Sequence, residues 1–344
     1  PISNSSIVTA RDKLVVDMDR ATLVERMKRF ADVTYSDDET RSRFFPTRRS
    51  RRFPAGDTRG FKLPDARVAV RGESAADYVN KIGYRPFDHR YIWYSKSVVD
   101  WPRMDIGRHM THSGNVGLVY RRQMPQDNSP TYFFVSSHVI SDGYIKSDNK
   151  GSETIAPLYL FHEDGSRTSN LVNGKVKELL NDVPEMRENT DDQSVFDYIY
   201  GVFHSPAYRS QFHDLLKDDF PRIPPPVNDE ELEWFRAAGE RLRRLHLLTD
   251  PVVDQFETTF PIVGSNRVEK LEYSDGKVWI NVDQYFGGIS EDSWNFVIGA
   301  YRPADKWLRE RIGRDLTGED LAHYQRVIQA LVETQSIMHD IDGV

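Results

Sequence analysis

The sequence predicts an α+β protein, a mixed α/β chain in which a β-rich lobe is joined to helical spacer elements. Three observations lead there. Between Arg67 and Phe161, short runs rich in Val, Ile, Tyr and Phe are separated by Gly, Pro and Asp/Asn clusters, the pattern of strands and turns. Near the start and again from Ser194, apolar residues recur at three- and four-residue spacing behind capping signals, the pattern of amphipathic helices. Charge is also segregated. From Arg41 to Arg122 there are 18 Lys and Arg against 7 Asp and Glu, although the whole chain is −7. A mildly acidic protein with a strongly basic quarter points to a polyanionic partner. The expected division is 1–60, an N-terminal helix and basic arm; 61–222, the β-rich lobe closing with two helices; and 223–344, a helical spacer with a β-hairpin and C-terminal helices.

In chain order, Thr9 to Asp12 reads as a turn running into a short strand at Lys13–Asp17. Asp19 caps a helix from about Ala21, with Leu23, Met27 and Phe30 on one face. The stretch Phe44 to Pro54 holds Arg48, Arg49, Arg51 and Arg52 between Pro and Phe residues, which reads as an extended basic arm. The other reading is an arginine cluster paired with the acidic remainder of the protein. Strands are expected at Arg67–Val70, Tyr91–Tyr94, Val116–Arg121, Thr131–Ser136 and Pro157–Phe161. Between the last two, Ser141 to Gly151 is a polar loop with two lysines. Helices resume near Ser194, and Ser205-Pro206 opens another as cap and first position. The run Pro224-Pro225-Pro226 is a stiff linker. Asn228 with Glu231 begins a helix carrying Leu232, Phe235, Leu242 and Leu245.

Asp275-Gly276 makes a tight hairpin between Val268–Tyr273 and Lys277–Val282. A strand at Trp294–Ile298 is expected to follow, then a helix opened by Pro303 and ended at Gly313. Thr317 with Asp320 caps the last helix. Its stripe of Leu321, Tyr324, Ile328, Leu331, Met338 and Ile341 faces the core or a partner.

The composition, 38% hydrophobic and 29% charged over 344 residues, is that of an ordinary globular chain. The absence of cysteine excludes disulfides, thiolate zinc sites and cysteine nucleophiles, and accords with a cytoplasmic protein. No apolar run approaches the roughly 20 residues of a membrane helix, so no membrane partner is expected. A chain opening on Pro1 is expected to be cut from a longer polypeptide.

Catalytic patterns are sparse. There is no Gly-rich phosphate or dinucleotide cradle, and no Asn/Asp-Pro-Pro-aromatic tetrapeptide to hold an adenine amino group. His109 and His112 have metal-ligand spacing but lie between Gly107 and Gly114, which reads as a loop without a third ligand. Asp148-Asn149-Lys150 matches half of a common nuclease core, with Asp142 upstream. A metal-dependent nuclease using Asp142, Asp148 and Lys150 is therefore one alternative; a protein-interaction module with an acidic docking surface is another. The favoured reading has no catalytic residue and no metal.

Several stretches, taken in order, resemble the C-terminal specificity region of type ISP restriction–modification enzymes. They are Thr9-Ala-Arg-Asp12; Tyr84-Arg-Pro-Phe-Asp88 with Arg90; Asn115-Val-Gly-Leu-Val119 leading to Arg122-Gln123; and Pro157-Leu-Tyr-Leu160. Tyr208-Arg209 with Phe220-Pro-Arg-Ile-Pro224, and Ile298-Gly-Ala-Tyr-Arg-Pro with Lys306-Trp-Leu, complete the set. The resemblance implies a target-recognition domain for double-stranded DNA that places an adenine before a methyltransferase of the same polypeptide. S-adenosylmethionine, ATP and Mg would then belong to domains outside this chain. It also implies that the matching residues are scaffold, since base-contacting residues must vary with the sequence read. DNA contacts are expected from Arg48, Arg49, Arg51 and Arg52 on phosphates. Arg121, Arg122, Gln123, Lys146, Asn149 and Lys150 are expected on base edges or nearby phosphates. An internal Arg85–Asp88 contact is expected beside Pro86.

Overall fold

A computed structural model describes residues 2–47, 51–121, 132–147, 152–171, 191–218 and 221–343. The chain is α+β. The strands are β1 (Asn4–Ser5), β2 (Val16–Asp17), β3 (Val79–Arg85), β4 (Asp88–Trp93), β5 (Gly117–Tyr120), β6 (Phe134–Ser136), β7 (Val139–Ile140) and β8 (Thr154–Pro157). Among the described residues these form two four-stranded sheets, ordered β1-β8-β5-β6 and β2-β4-β3-β7. Smaller sheets hold β9 (Tyr159–Phe161) with β10 (Arg167–Ser169), and β11 (Glu272–Ser274) with β12 (Lys277–Trp279) and β13 (Tyr285–Gly287).

The chain joins the two larger sheets twice. From β6 it reaches β7 across only Ser137 and His138, stepping from one sheet to the other. The N-terminal segment repeats the step: Asn4 and Ser5 pair with Ile155 and Thr154 of β8, and Ile7 then bridges Ser141 just beyond β7. One hydrophobic cluster takes Ile7, Ile82, Ile92 and Phe134 from the sheets and Trp307, Tyr324 and Leu331 from the C-terminal helices. Each such side chain contributes about 1.5–3 kcal/mol on burial.

The capping signals work as read. Asp19 accepts from Thr22 N at the start of Arg20–Ala31, Ser205 accepts from Tyr208 N ahead of Pro206–Gln211, and Thr317 with Asp320 forms a full capping box for Gly318–Asp340. The Asp275-Gly276 turn has φ of 51° and 72°, the left-handed pair that suits a two-residue hairpin. Helices Asp192–His204 and Asp229–His246 pack closely because Gly201 lies against the Phe235 carbonyl and Gly239 against that of Asp197. The last helix meets Asp229–His246 through Trp234, Arg241 and His246; its Tyr324 end packs on Phe286 and Trp307 instead.

Three expected strands are wrong in type. Arg67–Val70 lies in the helix Leu63–Arg71; the Val-Ala-Val alternation is outweighed by Leu63, Ala66 and Val70, which share a helical face, and by Pro in the first turn. In Trp294–Ile298 the first two residues end a short helix, Glu291–Asn295, capped by Ser290, and the rest is loop up to a single bridge of Ile298 with Tyr301. Lys13–Asp17 is a helical turn, Asp12–Val15, followed by only the two residues of β2. Gly107 does not mark a loop: it lies within the helix Met104–Met110, where a Cβ would sit 1.7 Å from the Tyr94 hydroxyl.

Candidate nucleic-acid interface

The basic arm has a constructed base. Arg41, in the last turn of Asp37–Phe44, donates to the Ala55 carbonyl at 2.7 Å and to Asp57 Oδ1 at 2.6 Å. Leu63 N donates to the same Asp57 oxygen at 3.1 Å. Gly56, at φ +88°, lies so close to the Phe45 ring that a Cβ would sit 2.5 Å from it. Residues 51–62 are thereby returned to their origin as a loop. On that loop Lys62 Nζ lies 4.5 Å and the Arg52 guanidinium 5.3 Å from the centroid of the Phe53 ring. The side chains of Arg51, Arg52, Arg59 and Lys62 are exposed.

Much of the basic stretch is not on offer. Arg67 is 3% exposed and serves the carbonyls of Phe30, Asp32 and Tyr35 together with Asp37. Outside that stretch, Arg11 likewise spans Asp100 at 2.8 Å and the Phe61 ring at 3.7 Å. The expected Arg85–Asp88 contact is replaced by another. Asp88 takes Arg90 at 2.8 Å and Arg311 at 3.1 Å; burial alone would raise its carboxyl, but these two guanidiniums hold it below its ordinary range. Arg85 instead lies against Tyr84 and Tyr301 and donates to the Tyr84 and Asp142 carbonyls.

A second loop, entered at Ser141, has an equally firm base. Glu153 is fully buried and accepts from Gly143 N at 3.2 Å, Ile145 N at 3.2 Å and Lys146 N at 2.8 Å. Burial pushes its carboxyl above the usual range, against the backbone donors and the charge of Arg121, which pull it down. From outside, the Tyr301 hydroxyl accepts from Ser147 N at 2.9 Å and donates to the Gly143 carbonyl at 2.9 Å. Gly299, at φ +59°, leaves room for Ile145, which a Cβ there would meet at 1.9 Å. Lys146 is half-buried, near the Tyr132 ring.

The N-terminal segment holds the two loops in one frame. Ile7 N donates to Ile140 O and Asp142 N to Ile7 O, on the side of the second loop. The next residue, Val8, exchanges hydrogen bonds of 3.2 and 3.0 Å with Trp101 on the other side. Two strand spacings put the Trp101 and Ser141 backbones about 10 Å apart. Asp100, beside Trp101, is then tied through Arg11 to Phe61 at the foot of the arm.

Of the expected DNA-contacting residues, Arg51 and Arg52 lie on the exposed arm and Lys146 at the root of the second loop. Arg121 is 4% exposed and belongs to the foundation of that loop, beside Glu153. Arg48, Arg49, Arg122, Gln123, Asn149 and Lys150 lie outside the described residues, as does Asp148. Asp142 is exposed at the loop entry. His109 accepts from Phe161 N at 2.9 Å and His112 stacks on the Phe161 ring at 4.2 Å, so both histidines brace β9. Among the described residues no three His, Asp or Glu side chains are grouped to hold a metal ion, and no helix is long and apolar enough to cross a membrane.

Sequence reasoning missed the frame: Arg11, Trp101, Glu153 and Tyr301. Two of these stood in the stretches that carry the family resemblance, and the structure explains those stretches as support. Tyr84 donates to Asp12 Oδ2 at 3.1 Å, and Asn115 bonds the His109 and Tyr159 carbonyls at 3.0 and 2.9 Å.

A family model described as the type ISP C-terminal specificity domain matches residues 1–340. No curated protein matches the chain significantly. Three solved structures share its fold over 98% of its length. They are a DrdV–DNA complex (17% identity, TM-score 0.74), the type ISP restriction-modification enzyme LlaBIII bound to DNA (16%, 0.72), and a nuclease-deletion mutant of the type ISP enzyme LlaGI with a DNA substrate mimic (18%, 0.69). The chain spans only 35%, 23% and 27%, respectively, of those longer chains.

Proposed function

This chain belongs to the type ISP C-terminal specificity domains, and on that premise we propose that it reads double-stranded DNA and places a target adenine before a methyltransferase of the same polypeptide. It contributes recognition and no chemistry of its own; S-adenosylmethionine, ATP and Mg belong to other domains. The observation that carries this reading is the pair of anchored loops on one N-terminal frame, one of them edged with exposed Arg and Lys. Arg48, Arg49, Arg51 and Arg52 meet phosphates, which need charge and reach but no fixed register. Arg122, Gln123, Lys146, Asn149 and Lys150 supply contacts that depend on sequence, with bidentate geometry to guanine and adenine open to Arg and to Gln or Asn. Arg121 is buried under the second loop, where its charge acts on Glu153.

Selection from a random duplex pool tests this. The chain should enrich one asymmetric sequence, bound roughly a thousandfold or more above the pool average at physiological salt. Binding of every duplex alike, or of none, contradicts it.

A further inference from the structure

Of the six tryptophans, Trp101 is the most exposed. Trp294 and Trp307 are buried, the Trp93 indole donates to Glu73 and that of Trp234 to the Ile341 carbonyl. The Trp101 indole is 58% exposed, on a backbone fixed to Val8 by two hydrogen bonds. A rigid support under an exposed aromatic is the arrangement of a contact surface, since large rings bind flat partners at low entropic cost.

Its surroundings narrow the partner. The Arg103 guanidinium lies 5.2 Å from the ring centroid, from a residue at φ +50°, and Lys96 and Arg108 are exposed nearby in sequence. The adjacent carboxylates are engaged, Asp100 by Arg11 and Asp105 by Asn4. Trp101 also lies between the arm and the second loop, about 10 Å from the Ser141 backbone. We propose that Trp101 is a stacking platform for a nucleobase displaced from the duplex between those two loops. This rests on the DNA-reading function proposed above. Every base offers a π-face, so the platform would act without base preference and add affinity wherever recognition opens or bends the duplex.

The test is fluorescence anisotropy with a labelled 30-base-pair duplex and the same duplex carrying one unpaired adenine. The wild-type chain should favour the bulged duplex. Trp101→Ala should weaken the bulged complex about tenfold, with its salt dependence unchanged, and leave the intact duplex nearly unaffected. Trp101→Phe should keep most of the preference, because it keeps an aromatic face. Quenching of tryptophan emission by the bulged duplex, lost in Trp101→Phe, provides a reading independent of folding. If Trp101→Ala binds both duplexes as the wild type does, the platform is overturned while DNA reading stands. If the wild type binds neither duplex, both fail together.

Discussion

Buried and half-buried histidines give the fold an acid limit. Burial pushes His204 and His89 down to about 3 and His138 to about 4. His246 is also lowered by burial; its Nδ1 lies 2.6 Å from the Tyr200 hydroxyl and its Nε2 3.0 Å from Thr334 Oγ1. Thr334 donates to the Ala330 carbonyl, so His246 Nε2 donates to Thr334 and the neutral ring satisfies every partner. The unfolded chain takes up these protons near pH 6.5 while the native one does not, so stability is full above that pH and falls as the pH drops. Between pH 6.5 and 5.0 each such histidine costs about 2 kcal/mol. Urea unfolding at pH 7.5 and 5.0 should therefore show His204→Phe losing about 2 kcal/mol less than the wild type; an equal loss would mean His204 is charged in the native state. At this scale the sequence shows cap identities well, because an Asp19 or Thr317 bonds only its own first turn. It does not show which arginines are spent internally. Arg67 looks like any other arginine of the basic stretch until the carbonyls of Phe30, Asp32 and Tyr35, more than 30 residues away, surround it.

Among the elements, the close crossing of Asp192–His204 and Asp229–His246 depends on two glycines, beside the edge-to-face contact of Tyr198 and Phe235. A Cβ on Gly239 would come within 1.7 Å of the Asp197 carbonyl and one on Gly201 within 2.1 Å of that of Phe235. Gly239→Ala improves helix propensity by about 1 kcal/mol, yet it must push the helices apart, which costs about 1–3 kcal/mol or more. The variant should melt several degrees below the wild type, and an unchanged or higher melting temperature would mean the helices are not so close. Long helices with capping signals were legible in the sequence, as was the Asp275-Gly276 hairpin. Short apolar runs were not: Val68 to Val70 fits either period over three residues, and Pro64 with the burial of Ala66 and Val70 settles it as helix. The short strands of the N-terminal segment were invisible for a related reason. Their pairing partners, Ile155, Ile140 and Trp101, are some 90 to 150 residues away.

For the whole molecule, charge segregation pointed to a polyanion, and the fold shows which of that charge is buried and which is exposed. Arg11, Arg67 and Arg90 hold the scaffold; Arg51, Arg52, Arg59 and Lys62 remain at its surface. The N-terminal segment ties the arm and the second loop to both large sheets, so the two regions are kept in register. Under the proposed function the first region supplies attraction without sequence content and the second discrimination, and the two should be separable by mutation. Glu153 and Tyr301 hold the second loop, and Arg41 with Asp57 holds the arm, so neither depends on the other's side chains.

The central claim is tested most directly by measuring duplex affinity against salt concentration for the wild type and Arg51→Gln/Arg52→Gln, on the selected sequence and on a scrambled one. If these arginines neutralise phosphates, the double variant weakens both duplexes by a similar factor, and the slope of log affinity against log salt becomes shallower by about 1.8. A wild-type slope in the variant, or a loss confined to the selected sequence, would contradict the account.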